Sequence, residues 1–345
     1  ARGYQGEHGD VKALAMKKWF NTNYHYIVPE TEDDTKIKLS GDKLWNEYAE
    51  ADEFGIETKP MLTGAYTMLK LCRYTGNKSE KDYVCDIIAA YKELLQTCGK
   101  KQIAWVQFDE PALVLDMDDS DKALFHQIYD ELLAVETDTK VLLQTYFGDI
   151  RDIYEEVINM PFAGIGLDFI EGKQTCDLVS KYGFPKDKVL FAGVVNGKNI
   201  WKNHYDKTLK VLSGLREKGI DTVISTSCSL LHVPYTLGNE EKLSKEYTAY
   251  FSFAKEKLVE LSELGKLADS KNYAEYDIFE KNHKLFSGSR DCTNKDVRNR
   301  LSKVCESDYV RLPKRSERQK IQKEEFKLPK FPTTTIGSFP QTKDV

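Results

Sequence analysis

Short apolar runs alternate with amphipathic stretches between about residue 60 and residue 235 of the chain. Each run ends in polar or small residues, a pattern typical of buried strands in a parallel sheet. Because the stretches between the runs have helical spacing of their apolar residues, the alternation predicts repeated β/α units. The six predicted strands are residues 59–64, 103–108, 140–146, 162–169, 188–195 and 221–227.

Polar residues at the ends of these stretches predict where the helices begin and end. Ser79 is placed to cap a helix that Gly99 terminates, and Ser120 is placed to cap the next helix. A helix is also predicted near residues 44–51, and residues 19–29 are an irregular strand candidate.

The spacing of the six β/α units predicts a (β/α)₈ TIM-type barrel that lacks its first two strands. The competing α/β architecture is a doubly wound sheet, which usually has a glycine-rich first βα turn. None of the predicted strands is followed by a GxGxxG sequence, so the barrel is favoured.

The pattern changes after the sixth strand. Residues 240–268 are predicted to form one long helix, and Thr293 or Asn294 is predicted to cap another. Residues 314–330 are rich in charge and predict a solvated helix or linker. The β-branched segment 333–341 predicts a strand with a Gly-Ser turn. The predicted domains are therefore a partial barrel (1–268), a helical connector (269–330) and the first strand of a second domain (331–345).

Composition and charge exclude several classes of protein. Hydrophobic residues make up 41% of the chain and charged residues 30%, and no apolar run is long enough for a transmembrane helix. The net charge of −5 argues against a dedicated nucleic-acid-binding protein. The seven cysteines form no CxxC pair, and no signal peptide is visible, so we expect a cytoplasmic protein.

Two groups of polar residues follow the predicted strands. Asp109 and Glu110 lie at the end of the second strand, where barrels place their chemistry; they are candidates for acid–base chemistry or for anchoring a loop. Asp168 with Glu171, and Cys228 with His232, follow later strands and offer zinc-ligand types. A zinc site needs three or four ligands, and the others cannot be assigned.

Three further segments have both a functional and a structural interpretation. The GVVNGK sequence at residues 193–198 resembles a phosphate loop only superficially, so a turn after a strand is favoured. Tyr24, His25 and Tyr26 are candidates for stacking on an aromatic ligand or for packing the barrel mouth. Lys18, beside Trp19, is a candidate for binding an anionic ligand or an ordinary surface lysine.

Five sequence strings, in order along the chain, resemble the cobalamin-independent methionine synthase family. The strings are KWFNTNYHYIVPE (18–30), VQFDEPAL (106–113), FAGVVNGKNIW (191–201), STSCSLLHVP (225–234) and FPTTTIGSFPQT (331–342). The resemblance implies two (β/α)₈ barrels and transfer of a methyl group from 5-methyltetrahydropteroyl-polyglutamate to L-homocysteine, giving L-methionine. By this resemblance the chain contains the N-terminal barrel, the connector and the first strand of the catalytic barrel.

The resemblance also implies roles for individual residues and for zinc. Lys18 matches a family position that binds the folate substrate. Ile336, Gly337 and Ser338 match the segment that binds homocysteine. The family's zinc ligands and its acid histidine belong to the catalytic barrel and match no residues of this chain, so the resemblance assigns this chain no catalytic residue and no metal ligand. The chain alone is therefore expected to be inactive, and the parent enzyme is expected to be a monomer without cobalamin.

Two other functions compete with this interpretation. A free-standing module that binds folate or another anion without catalysis would fit the same barrel. A related barrel decarboxylase or corrinoid methyltransferase is the third hypothesis, but it would lack the TTTIGSFPQT sequence.

Overall fold

A computed structural model describes residues 3–7, 9–270, 272–288 and 294–333 of the chain. The chain forms two compact units, Ala1–Gly288 and Ser289–Val345. The strands are β1 (Met16–Lys18), β2 (His25–Ile27), β3 (Glu30–Thr31), β4 (Met61–Thr63), β5 (Arg73–Tyr74), β6 (Trp105–Asp109), β7 (Lys140–Gln144), β8 (Gly164–Asp168), β9 (Val189–Val195) and β10 (Thr222–Thr226). The helices are α1 (Lys43–Glu53), α2 (Ala65–Leu71), α3 (Val84–Lys100), α4 (Asp119–Leu133), α5 (Tyr154–Asn159), α6 (Thr175–Tyr182), α7 (Tyr205–Glu217), α8 (Lys245–Thr248), α9 (Ala254–Asp269), α10 (Asp277–Ser287), α11 (Lys295–Leu301) and α12 (Arg315–Phe326).

The first unit is built on a six-stranded parallel sheet with the order β10-β9-β8-β7-β6-β4. All six predicted strands are confirmed, with bounds that differ by a few residues. The order advances in one direction along the sheet, whereas a doubly wound sheet reverses at a central strand. The α/β class is thus confirmed, and the described strands form an open sheet rather than a closed barrel.

Burial explains why these segments are strands and helices. Every residue of β8 is buried, as expected for a strand covered on both faces. In α3 the buried residues recur every three or four positions, so one face of the helix packs on the sheet. One apolar core joins the inward faces of α2 to α7 and α9 to the sheet.

The strand predicted at residues 19–29 is wrong. β1 and β2 pair antiparallel, with Lys18 opposite His25, and residues 19–24 form the turn between them. Phe20 has φ of 50°, and the Thr22 hydroxyl donates a 2.7 Å hydrogen bond to the Trp19 carbonyl. These local bonds turn the chain back at the point where a strand would have continued. The helix predicted near residues 44–51 is confirmed by α1.

The caps predicted at Ser79 and Ser120 have different outcomes. Ser79 is the N-cap residue of a short 3₁₀ turn that leads into α3, and its backbone N–H donates to Asp82 Oδ2 at 2.8 Å. The prediction that Ser120 caps the next helix is wrong, because Asp118 Oδ1 accepts from the backbone N–H groups of Ser120 and Asp121, both at 2.9 Å. The carboxylate two residues earlier takes the cap because it reaches both donors.

Asp118→Ala is expected to lower the free energy of unfolding by about 1 kcal/mol, since it leaves two first-turn N–H groups of α4 without their acceptor. Ser120→Ala is the matched comparison and should change stability by less than about 0.5 kcal/mol. Urea unfolding of both variants measures this. An equal loss in the two variants would contradict the assignment of the cap to Asp118.

The long helix predicted over residues 240–268 is also wrong. The segment contains α8 and α9 with an extended break between them. At the break, Phe251 forms an antiparallel bridge to Trp201, and the Ser252 N–H donates to the Ile200 carbonyl at 2.7 Å. These backbone bonds to a distant loop replace helical bonds, and helical periodicity in the sequence does not reveal them.

The second unit contains α11 and α12. Asn294 Oδ1 accepts from the N–H groups of Asp296 and Val297, which confirms the predicted cap at this position. α12 confirms the helix predicted within residues 314–330. The strand predicted at 333–341 falls almost entirely outside the described residues, and the domain boundaries at 268 and 330 stay a prediction. Within the described ranges no helix is both long and apolar enough to cross a membrane.

Candidate functional site

Polar side chains gather where the parallel strands end. Because the carboxyl ends of β6 to β10 lie at the same edge of the sheet, the residues that follow these strands come together. The last residues of β6 and β8 are Asp109 and Asp168, and the segments after β7, β9 and β10 contribute Tyr146, Lys198 and His232. This edge is the candidate functional site.

Glu110 has a structural role at this edge. Its side chain is fully buried, and its carboxylate accepts hydrogen bonds from the N–H groups of Tyr66 (2.9 Å) and Thr67 (2.7 Å) and from the Tyr129 hydroxyl (2.5 Å). The N-cap residue of α2 is Gly64, which has no side chain, so Glu110 caps this helix from a distant strand end. Burial raises the pKa of Glu110 to about 7. The anchoring interpretation therefore holds for Glu110.

Asp109 is held among polar groups at the end of β6. Gln107 Nε2 donates to its Oδ1 at 2.7 Å, and the Tyr146 hydroxyl donates to its Oδ2 at 3.1 Å. Burial raises the pKa of Asp109 to about 6, against the opposing effect of these donors and of Lys59. A carboxyl group with this pKa can exchange a proton near neutral pH.

Asp168 and its neighbours connect the loops after β7, β8 and β9. Asp168 accepts from the backbone N–H groups of Phe147 (3.0 Å), Ile170 (2.7 Å) and Glu171 (2.8 Å), and burial raises its pKa to about 6. Lys198 Nζ donates to the two carboxylate oxygens of Glu171 at 2.8 and 2.9 Å. Asp168 and the Lys198–Glu171 ion pair together place one cation and two carboxyl groups at the strand ends.

The GVVNGK segment forms the turn after β9, as favoured from the sequence. Asn196 Oδ1 accepts from the N–H groups of Lys198 (2.9 Å) and Asn199 (3.0 Å), which closes a tight turn. A Cβ atom at Gly197 would lie 2.3 Å from the Cys228 carbonyl oxygen, so only glycine fits at this position. The turn thus packs directly on the loop after β10.

Cys228 and His232 do not form a reactive pair. Burial raises the pKa of the Cys228 thiol to about 12, so the thiol stays protonated at neutral pH. Burial and the nearby Lys198 lower the pKa of His232, whose ring packs edge-on against Tyr24 and Phe147. Across residues 3–7, 9–270, 272–288 and 294–333, no three His, Cys, Asp or Glu side chains lie together as a metal site. Cys228, His232, Asp168 and Glu171 are therefore not assembled into a zinc site in the described residues.

The β1–β2 hairpin (residues 16–27) lies on this edge of the sheet. Trp19 and Phe20 pack on the small buried cluster of Tyr146, Phe147 and Cys228. The Tyr24 hydroxyl donates to the Leu231 carbonyl in the loop after β10. Tyr24 and Tyr26 thus contact the protein, as in the second interpretation given for residues 24–26, whereas His25 is exposed.

Lys18 is the last residue of β1 and is exposed to solvent. In the described parts of the chain it has no hydrogen-bond or ion-pair partner, so its ammonium group is free to meet an anion. The other residues assigned by the resemblance, Ile336, Gly337 and Ser338, lie outside the described residues.

The sequence did not identify Tyr146 and Lys198 as parts of this site. Both lie in loops directly after strands, which is the signal that could have found them. Tyr146 contacts Asp109 and Lys198 contacts Glu171, each in a distant segment of the chain. The local sequence around Tyr146 or Lys198 does not predict these contacts.

Comparison with known proteins identifies the family. The sequence profile of the cobalamin-independent synthase N-terminal domain matches residues 1–220. The chain is 51% identical over 345 residues to the 5-methyltetrahydropteroyltriglutamate–homocysteine methyltransferase of Lactococcus lactis subsp. lactis, covering 100% of this chain and 45% of the relative. The chain belongs to the cobalamin-independent methionine synthase family.

Other members of the family agree with this assignment. The methyltransferase of the same name from Campylobacter jejuni subsp. doylei is 50% identical over 345 residues, covering 100% of this chain and 46% of the relative. A solved B12-independent methionine synthase from Shewanella sp. W3-18-1, in complex with selenomethionine, superposes with a TM-score of 0.54 at 14% identity over 73% of each chain. The superposition supports the fold alone. The chain spans about half the length of the curated relatives it matches.

Proposed function

We propose that this chain is the folate-binding half of a cytoplasmic, cobalamin-independent methionine synthase. The parent enzyme would transfer a methyl group from 5-methyltetrahydropteroyl-polyglutamate to L-homocysteine and form L-methionine. The observation that carries this proposal is the 51% identity, along the whole chain, to a relative named for this reaction.

The chemistry of the reaction divides the work between binding and catalysis. The methyl group moves from the folate nitrogen to the homocysteine sulfur, so the sulfur must react as a thiolate and the nitrogen must gain a proton as it leaves. Among the described residues no group of three metal-ligand side chains is present, and Cys228, the thiol near the strand ends, is buried and protonated. We therefore assign substrate binding to this chain, and we expect it to be inactive by itself without the partner barrel.

Lys18 is the residue proposed to meet the polyglutamate tail. It is exposed, lies at the strand ends and has no ion-pair partner in the described ranges, so it can pair with a carboxylate without breaking an existing contact. Ile336, Gly337 and Ser338 are proposed to bind homocysteine in the assembled parent enzyme.

The architecture of the parent is part of the proposal. The single direction of the strand order supports a (β/α)₈ barrel completed by two further strands at the edges β4 and β10. The domain limits are proposed at 268 and 330, with a connector and then the first strand of a catalytic barrel.

Lys18→Ala in the parent enzyme is expected to raise KM for the triglutamate folate about fivefold, since an exposed ion pair contributes up to about 1 kcal/mol. The value of kcat should stay within about twofold of the parent. The lost ion pair binds the substrate equally well in the ground state and in the transition state, so its loss raises KM alone. Lys17→Ala, which changes the neighbouring exposed lysine of β1, is the control. An unchanged KM in Lys18→Ala would refute the role of Lys18.

A direct assay tests the division of labour. Methyl transfer should be absent with residues 1–345 alone and present with the full-length parent enzyme. If residues 1–345 alone turn over methyltetrahydrofolate and homocysteine, the assignment of this chain to binding is wrong.

A further inference from the structure

A chain of contacts leads from the centre of the strand ends to the β1–β2 hairpin. Gln107 Nε2 donates to Asp109 Oδ1 at 2.7 Å, and the Tyr146 hydroxyl donates to Asp109 Oδ2 at 3.1 Å. Trp19 packs in turn on the buried cluster of Tyr146, Phe147 and Cys228. Trp19 is the residue next to Lys18.

The hydrogen bond between Tyr146 and Asp109 fixes a ring of the cluster on which the hairpin packs. Asp109 and Tyr146 are 8% and 7% exposed, so the contact between them is shielded from water. The docking of Trp19 and Phe20 on this cluster is aromatic: Phe20 lies 6.0 Å from Phe147 between ring centroids. Aromatic packing tolerates sliding and rotation, whereas a directed hydrogen bond fixes one orientation.

The direction of Lys18 depends on Trp19. Residues 18 and 19 are consecutive. The backbone N–H of Trp19 donates to the Tyr24 carbonyl at 2.7 Å and closes the hairpin at residue 19. A rotation of Trp19 on the sheet therefore rotates the end of β1 and moves the Lys18 ammonium group. The Lys18 side chain has no hydrogen-bond or ion-pair partner in the described residues that would correct such a movement.

We propose that Tyr146 and Asp109 are positioning residues, which hold Trp19 so that Lys18 points at the polyglutamate carboxylates. The proposal rests on the proposed function of Lys18. Tyr146 and Asp109 do not touch the substrate in this proposal; they act through the hairpin. Asp109 is an acid–base candidate in the sequence. In this proposal it instead increases the affinity for the substrate.

Tyr146→Phe is the variant that tests the proposal, because it removes one hydroxyl and keeps the ring on Phe147. We expect KM for the triglutamate folate to rise about threefold in the parent enzyme, with kcat within about twofold. Tyr154→Phe is the matched control: its buried hydroxyl donates to the Gly183 carbonyl at 2.7 Å, away from the hairpin.

A double-mutant cycle separates positioning from a general loss of structure. If Tyr146 acts through Lys18, Tyr146→Phe combined with Lys18→Ala should have the KM of Lys18→Ala alone, about fivefold above the parent. Independent effects would multiply to about fifteenfold. Multiplied effects would overturn the proposal while leaving the function of Lys18 intact. No effect of Lys18→Ala alone would overturn both.

Two further measurements complete the test. Hydrogen exchange in residues 16–27 of the parent enzyme should be faster in Tyr146→Phe and unchanged in Tyr154→Phe; equal exchange in all three proteins would refute the docking role. Asp109→Asn, which keeps an oxygen acceptor, should retain a KM close to that of the parent at pH 7. Asp109→Ala should reproduce the KM of Tyr146→Phe, and a normal KM in Asp109→Ala would count against the proposal.

Discussion

Glu110→Ala is expected to lower the free energy of unfolding by about 3–5 kcal/mol. The carboxylate is the acceptor for two N–H groups at the start of α2 and for the Tyr129 hydroxyl. All of these donors are buried and would be left without a partner. A loss of this size is a large share of the stability of a typical domain.

Urea unfolding of Glu110→Ala and of Glu110→Gln measures this effect. The glutamine variant keeps one carbonyl acceptor, so it should lose about half as much stability or less. Glu136→Ala, an exposed glutamate, is the control and should stay within about 0.5 kcal/mol of the parent. If Glu110→Ala is as stable as the control, Glu110 does not anchor α2, and the acid–base interpretation of Glu110 is favoured instead.

The second large effect concerns pH. Asp109→Asn is expected to gain stability relative to the parent protein, by up to about 3 kcal/mol, as pH rises from about 4 to about 7. The pKa of Asp109 rises from its ordinary value of 3.8 to about 6 because the carboxyl group is buried. Between these two values the unfolded chain carries an ionised Asp109 and the folded protein a protonated one.

The sign follows from proton binding. Folding takes up a proton in this pH range, so raising the pH favours the unfolded state, and the contribution of Asp109 is fully present below pH 3.8 and lost above about pH 6. The asparagine side chain resembles the protonated carboxyl group and does not titrate. The difference between the two proteins therefore isolates Asp109 from Glu110 and Asp168, whose pKa values are also raised.

The measurement is the free energy of unfolding in urea from pH 4.5 to pH 8 for the parent protein and for Asp109→Asn. Asp138→Asn, at an exposed aspartate, is the control and should run parallel to the parent protein. If the parent protein instead gains stability relative to Asp109→Asn as pH rises, the pKa of Asp109 is lowered and its pairing with Lys59 outweighs its burial.

The sequence was sufficient for the sheet because its inner strands, such as β7 and β8, are buried on both faces. A continuous apolar run such as residues 162–169 has apolar side chains on both faces of the strand. Both faces are removed from water only when the sheet is covered on both sides, so the composition of the run alone predicts β8. The family could be predicted for a similar reason: strings such as KWFNTNYHYIVPE are specific in themselves and need no knowledge of contacts.

The largest error occurs where a partner distant in the chain decides the local structure. The helix predicted over 240–268 breaks at Phe251 because Trp201 and Ile200 bond to this segment. In the hairpin of residues 16–27, local bonds make the turn, and the aromatic residues Trp19 and Phe20 pack on a cluster that follows distant strands. Local periodicity reports only which residues are apolar, not which segment will supply the partner.

The sequence by itself determined the order of the β/α units, the membership of the family and the candidate role of Lys18. Tertiary structure alone decided that Glu110 caps α2, that Tyr146 joins Asp109 to the hairpin and that Lys198 pairs with Glu171. The physical reason is the separation along the chain of the residues that interact. Apolar periodicity depends only on residues that are neighbours along the chain. These three hydrogen bonds join residues 43, 37 and 27 positions apart, and only the parallel strands bring them to one edge.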